Sequence, residues 1–296
     1  MSQVSPGNTE DFIPYGQPLI GQEETEEVLD TLKSGWLSRG PKCTKFEEQF
    51  AEYVGCQHAV ALNSCTSALF LALKAMGVGP GDEVITTPFT FAATANVVVH
   101  LGATPVFADI DPVTYNISPE ELARKITPRT KVLLPVHYAG QACDMDAIMA
   151  IARSHGLRVV EDAAHAVHTT WGDQMVGSIG DAACFSFYVT KNLMTGEGGM
   201  LTTNDSELAN TIRLLSLHGM DKDAWKRYSS AGSWFYQLHL AGYKCNMTDL
   251  QAGLGLSQLA KLPQMQAVRE EYARAYTEGL EQVPGILAPQ VHGRGR

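Results

Sequence analysis

Apolar and polar positions along the chain follow two periods, one near 3.6 and one near 2, and the period changes at clear turn signals. Residues 21–34 carry a helical repeat, with Val28, Leu29 and Leu32 on one side and acids on the other. The stretch Gly35-Trp36-Leu37-Ser38-Arg39-Gly40-Pro41 then breaks it, and a loop with Trp and Arg at its tip is suited to binding. From there the pattern predicts helix at 43–54, strand at 58–62, helix at 65–77, strand at 83–86, helix at 91–101 and strand at 104–108. It continues with a strand at 131–135, a helix at 144–155, strands at 157–161, 183–187 and 199–203, and a helix at 205–217. Strands such as Val132-Leu133-Leu134-Pro135-Val136 are short and largely apolar, as strands covered on both faces are. Turn signals at Gly79-Pro80-Gly81-Asp82, Asp109-Ile110-Asp111-Pro112 and Ser154-His155-Gly156 separate the elements. This is the rhythm of an α/β sheet.

After residue 248 the pattern becomes two long helices, 248–261 and 263–281, with Pro263 in the first turn of the second. The expected division is a large α/β domain over 13–247 and the start of a small C-terminal domain over 248–296. The tail Val291-His292-Gly293-Arg294-Gly295-Arg296 has no element pattern, so the small domain is expected to be unusually small or incomplete.

Composition narrows the function classes. A chain of 296 residues, 45% hydrophobic and 18% charged, is a globular protein with room for a large core. Its formal charge of -10 argues against nucleic acid as the main partner and leaves room for a local phosphate pocket. No run approaches the roughly 20 apolar residues of a membrane helix, and the N-terminus lacks the pattern of a signal peptide, so no membrane and a cytoplasmic location are expected. The six cysteines are scattered without metal-binding or redox spacing and read as reduced, mostly core-filling thiols.

Two segments carry the chemistry. Val159-Val160-Glu161-Asp162-Ala163-Ala164-His165 and Phe185-Ser186-Phe187-Tyr188-Val189-Thr190-Lys191-Asn192 each start as an apolar strand and deliver a charged residue where ligands sit in open sheets. A lysine that forms a Schiff base must spend time as the neutral amine, and a pyridine cofactor needs an acid against its ring nitrogen. Lys191 and Asp162 have those two chemistries, although a solvated strand-end acid and a surface lysine would read the same way. Leu62-Asn63-Ser64-Cys65-Thr66-Ser67-Ala68-Leu69 is a strand, a small polar turn and a helix start, able to hold a phosphate on free amides; Ser and Thr are also ordinary helix caps. Gly196-Glu197-Gly198-Gly199 lacks nucleotide-loop spacing and reads as a tight turn between strands. Asp162, His165 and His168 would share a face if helical, but no second ligand cluster accompanies them, and no metal is expected.

Taken together, the motifs resemble the DegT family of nucleotide-sugar aminotransferases, which are fold type I pyridoxal-phosphate enzymes. In order, the matching pieces are Ser34 to Pro41, Gly79 to Val84, Thr90-Phe91-Ala92-Ala93-Thr94-Ala95-Asn96, Gly102 to Phe107, Pro135-Val136-His137, Glu161 to His165, Ser186-Phe187 with Lys191-Asn192, Gly196 to Gly199, and Met247-Thr248-Asp249. They span roughly residues 13–285.

The resemblance implies a large domain with a mixed, mostly parallel sheet between helices, plus a smaller C-terminal domain that here stops short of the family's usual length. It implies pyridoxal 5'-phosphate as cofactor, with Lys191 as the Schiff-base lysine and proton shuttle, and Asp162 as the partner of the pyridinium nitrogen. His165 is placed near the ring hydroxyl, Phe91 on the ring face, and Ser186 and Thr66 with the Cys65 turn at the phosphate. Asn246, with Lys244 as second choice, is expected at the phosphate from the partner subunit of a homodimer, and Trp36, Ser38 and His137 toward the substrate. The implied reaction moves an amino group from an amino acid, glutamate by family habit, to a nucleotide-linked keto sugar. Two departures stand out: Ser64-Cys65-Thr66 has a thiol where the family has glycine, so some local rearrangement is expected, and Lys244-Cys245-Asn246 is similar to the branch that aminates the 4-keto pentose of UDP. Lysine at 191 argues against the family's dehydratases, which have histidine there. A binding homologue without turnover, and a metal hydrolase on Asp162, His165 and His168, are the remaining alternatives.

Overall fold

Seven strands form the central sheet of the computed structural model, which describes residues 16–221, 237–288, 290, 291 and 293–295. The N-terminal stretch read for a leader, and His292 and Arg296 of the tail, lie outside the described residues. The strands are β1 (His58–Leu62), β2 (Glu83–Thr86), β3 (Thr104–Phe107), β4 (Thr130–Leu133), β5 (Arg158–Asp162), β8 (Ala182–Ser186) and β9 (Gly199–Thr203), in the order β1-β9-β8-β5-β4-β2-β3. Neighbours run parallel from β8 through to β3, while β9 is antiparallel to both β8 and β1. A separate hairpin pairs β6 (Thr170–Trp171) with β7 (Gln174–Met175). The helices are α1 (Gln22–Ser34), α2 (Pro41–Val54), α3 (Cys65–Ala75), α4 (Ala92–His100), α5 (Pro119–Arg124), α6 (Met145–His155), α7 (Ser206–Ser216) and α8 (Asp249–Leu280).

The period of two splits each strand between two cores. Ala59, Ala61, Ile85, Leu133, Val159 and Phe185 face α2, α6 and the first half of α8, where Phe46, Phe50 and Phe185 meet edge to face with centroids 5.1–6.0 Å apart. Val60, Val84, Val132, Val160, Cys184 and Leu201 face α3, α4 and α7. Burial on both faces explains why the strands read as near-continuous apolar runs, each fully buried large side chain contributing about 1.5–3 kcal/mol.

Three expectations change. The buried face of α1 is made by Glu24 and Thr31, while Leu29 and Leu32 are exposed. Glu24 is acceptable inside because Lys261 and Gln258 of α8 bond its carboxylate at 2.7 and 2.8 Å, and the Gly21 amide adds a third bond at 2.7 Å. The two helices expected from 248 to 281 are one helix of 32 residues with Pro263 inside it. Proline there removes one hydrogen bond at a cost of about 3 kcal/mol. Core burial of Ala252, Leu256, Leu259 and Leu262 holds the first half, whereas residues 267–279 are exposed. Gly196–Gly199 is no tight turn: the whole of 187–198 is a loop between β8 and β9. The pattern also omits α5 and the two-residue strands β6 and β7. Among the described residues no helix is long and apolar enough to cross a membrane.

Candidate active site

Strand direction gathers the site. The carboxyl ends of β1, β2, β5 and β8 lie at one edge of the sheet, so the α3 turn, the start of α4, Asp162 and the loop after Ser186 meet there.

Asp162 ends β5 and is 4% exposed. Its Oδ2 accepts from the Thr94 hydroxyl at 2.8 Å and its Oδ1 from the Ala164 amide at 3.2 Å. Among the described residues it forms no salt bridge. Burial pushes its carboxyl above the usual range, against the Thr94 and Ala164 bonds and the more distant His137 and Lys191 charges.

Lys191 lies half-buried in the β8–β9 loop with its Nζ 2.5 Å from His165 Nε2. Burial lowers the lysine below its ordinary value, opposed by the charges of Cys65 and Asp162. His165 is lowered as well, by burial and then by Lys191. Both shifts run toward the neutral form, the form a nucleophilic lysine requires. Asp162 and Lys191 are near enough for the charge of each to bear on the other.

The loop carrying the amine is tied to α8 at two points. Asn192 donates to Gln266 at 3.5 Å, and Gln251 donates to the Glu197 carbonyl at 2.8 Å.

At the α3 turn, Ser64 caps the helix by accepting from the Ser67 amide at 3.1 Å. The amides of Cys65 and Thr66 bond no acceptor among the described residues, and the Thr66 side chain is exposed, which together make an anion cradle at a helix start. Rearrangement around the Cys65 side chain is not required, because the thiol turns inward and donates to the Cys184 carbonyl at 3.3 Å. Glycine's close approach is needed instead at Gly199, where a Cβ would stand 2.4 Å from the Ser64 carbonyl carbon and 2.5 Å from the Cys65 nitrogen.

A family model described as the DegT/DnrJ/EryC1/StrS aminotransferase family matches residues 18–296. The chain belongs to this family. It is 64% identical over 285 residues to the spore coat polysaccharide biosynthesis protein SpsC of Bacillus subtilis (strain 168), covering 96% of this chain and 73% of SpsC. Among solved structures it is similar to the putative sugar aminotransferase Spr1654 of Streptococcus pneumoniae in its PLP form (TM-score 0.88, 36% identity, 96% of this chain and 75% of that one). It is also similar to the aminotransferase TlmJ of Streptoalloteichus hindustanus (TM-score 0.90, 37% identity, 96% and 76%). The fold is the expected fold type I arrangement, a mostly parallel sheet between helices.

The remaining predicted residues of this aminotransferase divide into two groups. Ser186 ends β8, 8% exposed, and Phe91 is 81% exposed at the N-cap of α4, three residues before Thr94. Asn246 bridges Leu62 at the entry to the α3 turn, with its side chain engaged by Lys244 and by the Met247 carbonyl of its own chain. The second group is His137, Trp36 and Ser38. His137 is 1% exposed, its Nδ1 accepting from the Cys143 amide at 3.1 Å and its Nε2 bonded to Glu161 at 3.0 Å, so it is a scaffold residue that cannot reach a substrate. Trp36 and Ser38 sit in a loop gathered around Asp249, whose carboxylate accepts from the Gly40, Lys42 and Cys43 amides at 2.7–3.0 Å.

The metal alternative loses its geometry. Residues 163–169 are not helical, His168 has φ 75° and bonds the Tyr53 hydroxyl, and no metal-binding cluster occurs among the described residues. Sequence reasoning gave no role to Thr94 and Thr90, whose only signal was their spacing of four within the Thr90–Asn96 motif.

Proposed function

We propose that this chain is a sugar aminotransferase that uses pyridoxal phosphate to move an amino group from glutamate to the keto group of a nucleotide-linked sugar. The observation that carries the reading is a buried Asp162 whose carboxylate is held by two hydrogen-bond donors and forms no salt bridge among the described residues, with Lys191 in the loop that follows the neighbouring strand β8. A carboxylate without a counter-charge inside a protein is costly by several kcal/mol, and a protonated ring nitrogen supplies what Asp162 lacks. The free amides of Cys65 and Thr66, with the Thr66 and Ser186 hydroxyls, fit the phosphate at the other end. The exposed ring of Phe91 fits one face of the cofactor.

When bound, pyridoxal phosphate supplies an electron sink that lets nitrogen pass between two carbon skeletons. Lys191 Nζ would anchor it and, as a free amine, would hold and move a proton at the substrate carbon. His165 holds that amine in place and accepts or returns a proton at Nε2. Asp162 would face the ring nitrogen and favour its protonated form. The active unit is a homodimer in the cytoplasm, and amino sugars for surface polysaccharide are the product class, as the name of SpsC suggests.

The test is reconstitution with pyridoxal phosphate, addition of glutamate, and product analysis against a panel of nucleotide-linked 4-keto and 3-keto sugars. Glutamate should bleach the visible band and release 2-oxoglutarate. Lys191→Ala should lose that band and turnover while keeping its circular dichroism spectrum; an unchanged yellow spectrum in this variant sinks the assignment.

A further inference from the structure

We propose that Thr94 is a positioning residue for this reaction: its hydroxyl, backed by that of Thr90, fixes the orientation and charge of the Asp162 carboxylate that meets the cofactor's ring nitrogen. The inference rests on the reading of Asp162 given above.

Thr94 is wholly buried on α4, beside Val97 and Val98 of the same apolar core. A hydroxyl in such a place is costly unless bonded, and a valine would fill the same space. Its side-chain bonds run to two groups, Asp162 Oδ2 at 2.8 Å and Thr90 Oγ1 at 2.7 Å. An ionised carboxylate can only accept, so Thr94 donates to Asp162. Its proton is then committed, and Thr90 must donate to Thr94. Protonation of Asp162 at Oδ2 would reverse both bonds. The direction of this two-hydroxyl chain is thus locked to the charge on Asp162, and Thr90, partly exposed, is the end that water can reach.

The charged and titratable groups around Asp162 are Lys191 from the β8–β9 loop, His137 from the segment after β4, Cys65 from α3 and Cys184 from β8. None of them is a hydrogen-bond partner of the carboxylate. Among the described residues its two donors are the Ala164 amide, at 3.2 Å, and Thr94, which is the closer and the only side chain of the pair.

The test compares Thr94→Val, Thr94→Ser and Thr90→Val. Removing a hydrogen bond to a charged group should lower kcat about 10- to 100-fold in Thr94→Val, with KM for the amino donor held within about twofold. Thr94→Ser keeps the hydroxyl and should stay within about threefold of the parent. Two readouts do not depend on turnover. In the apoprotein, the ¹³C carboxyl signal of Asp162 should titrate at higher pH in Thr94→Val than in the parent, because the charged form has lost a donor. With ¹⁵N-labelled pyridoxal phosphate, the ring-nitrogen signal should sit at the pyridinium position in the parent and move toward neutral pyridine in Thr94→Val. If that variant fails to fold, Thr90→Val, at a partly exposed position, should shift both signals in the same direction by less. Unchanged carboxyl and ring-nitrogen signals in the folded variants overturn the role of Thr94 while leaving Asp162 in place. An unprotonated ring nitrogen in the parent overturns the reading of Asp162 and this inference with it.

Discussion

Substituting Gly199 by alanine tests the link between the sheet edge and cofactor affinity. The added Cβ would lie 2.4–2.6 Å from three backbone atoms of Ser64 and Cys65, and backbone cannot rotate away as a side-chain tip can. Gly199 is not in the left-handed region, so the cost is steric rather than conformational. Restoring ordinary contact requires β9 and the α3 turn to separate by about 1 Å. Overpacking of this kind costs about 1–3 kcal/mol, which for a chain of this size lowers Tm by roughly 2–5 °C. A shift of that size also misaligns the Cys65 and Thr66 amides. Charge-assisted bonds from two amides would weaken enough to raise the Kd for pyridoxal phosphate about 10- to 100-fold. Differential scanning calorimetry of the apoprotein and equilibrium dialysis with the cofactor read the two effects separately. Gly196→Ala is the control: nothing lies within 4 Å of its Cβ, but φ is +77°, so stability should fall by about 1–2 kcal/mol without loss of cofactor affinity. A Gly199→Ala protein that melts and binds like the parent would refute the claim that close approach of Gly199 shapes the phosphate cradle.

Asp162→Asn should abolish most of the turnover yet leave the apoprotein at least as stable as the parent near neutral pH, because it removes a buried charge that has no counter-ion. The folded carboxyl titrates above its unfolded value, so its contribution to stability is full below the unfolded pKa and is lost as pH rises through the folded one. Asp162→Asn should lack that part of the pH dependence, and a stability–pH curve superimposable on the parent's counts against it. Asp249→Ala should cost about 2–4 kcal/mol in urea denaturation, since three amides at the start of α2 lose a buried acceptor. A loss below about 0.5 kcal/mol would show that the cap is dispensable.

The sheet was legible because its strands are apolar on both faces and bounded by glycine, proline and aspartate; β1, β2 and β9 have the limits read from the pattern. Asp162 and Lys191 were legible as strand-end charges, and the topology brought them together. The failures share a cause, which is compensation from distant residues. Nothing near Glu24 in sequence announces Lys261 and Gln258, so the exposed Leu29 and Leu32 took the place of the real buried face. Pro263 reads locally as a helix start, whereas burial of the preceding leucines carries the helix through it. His137 is placed toward the substrate by the resemblance, yet Glu161 and Cys143 occupy both of its nitrogens. Thr94 is an ordinary helix residue until Asp162 arrives from 68 positions away.

α8 is about 48 Å long, clamped in the core as far as Leu262 and projecting into solvent beyond it. The Lys191 loop is fastened to this rod by Gln251 and Gln266, about four turns apart and on either side of the clamp's last leucine. The segment that presents the reactive nitrogen is therefore held from both sides of Leu262, by the core-clamped part of α8 and by the part beyond it, rather than hanging free between two strands.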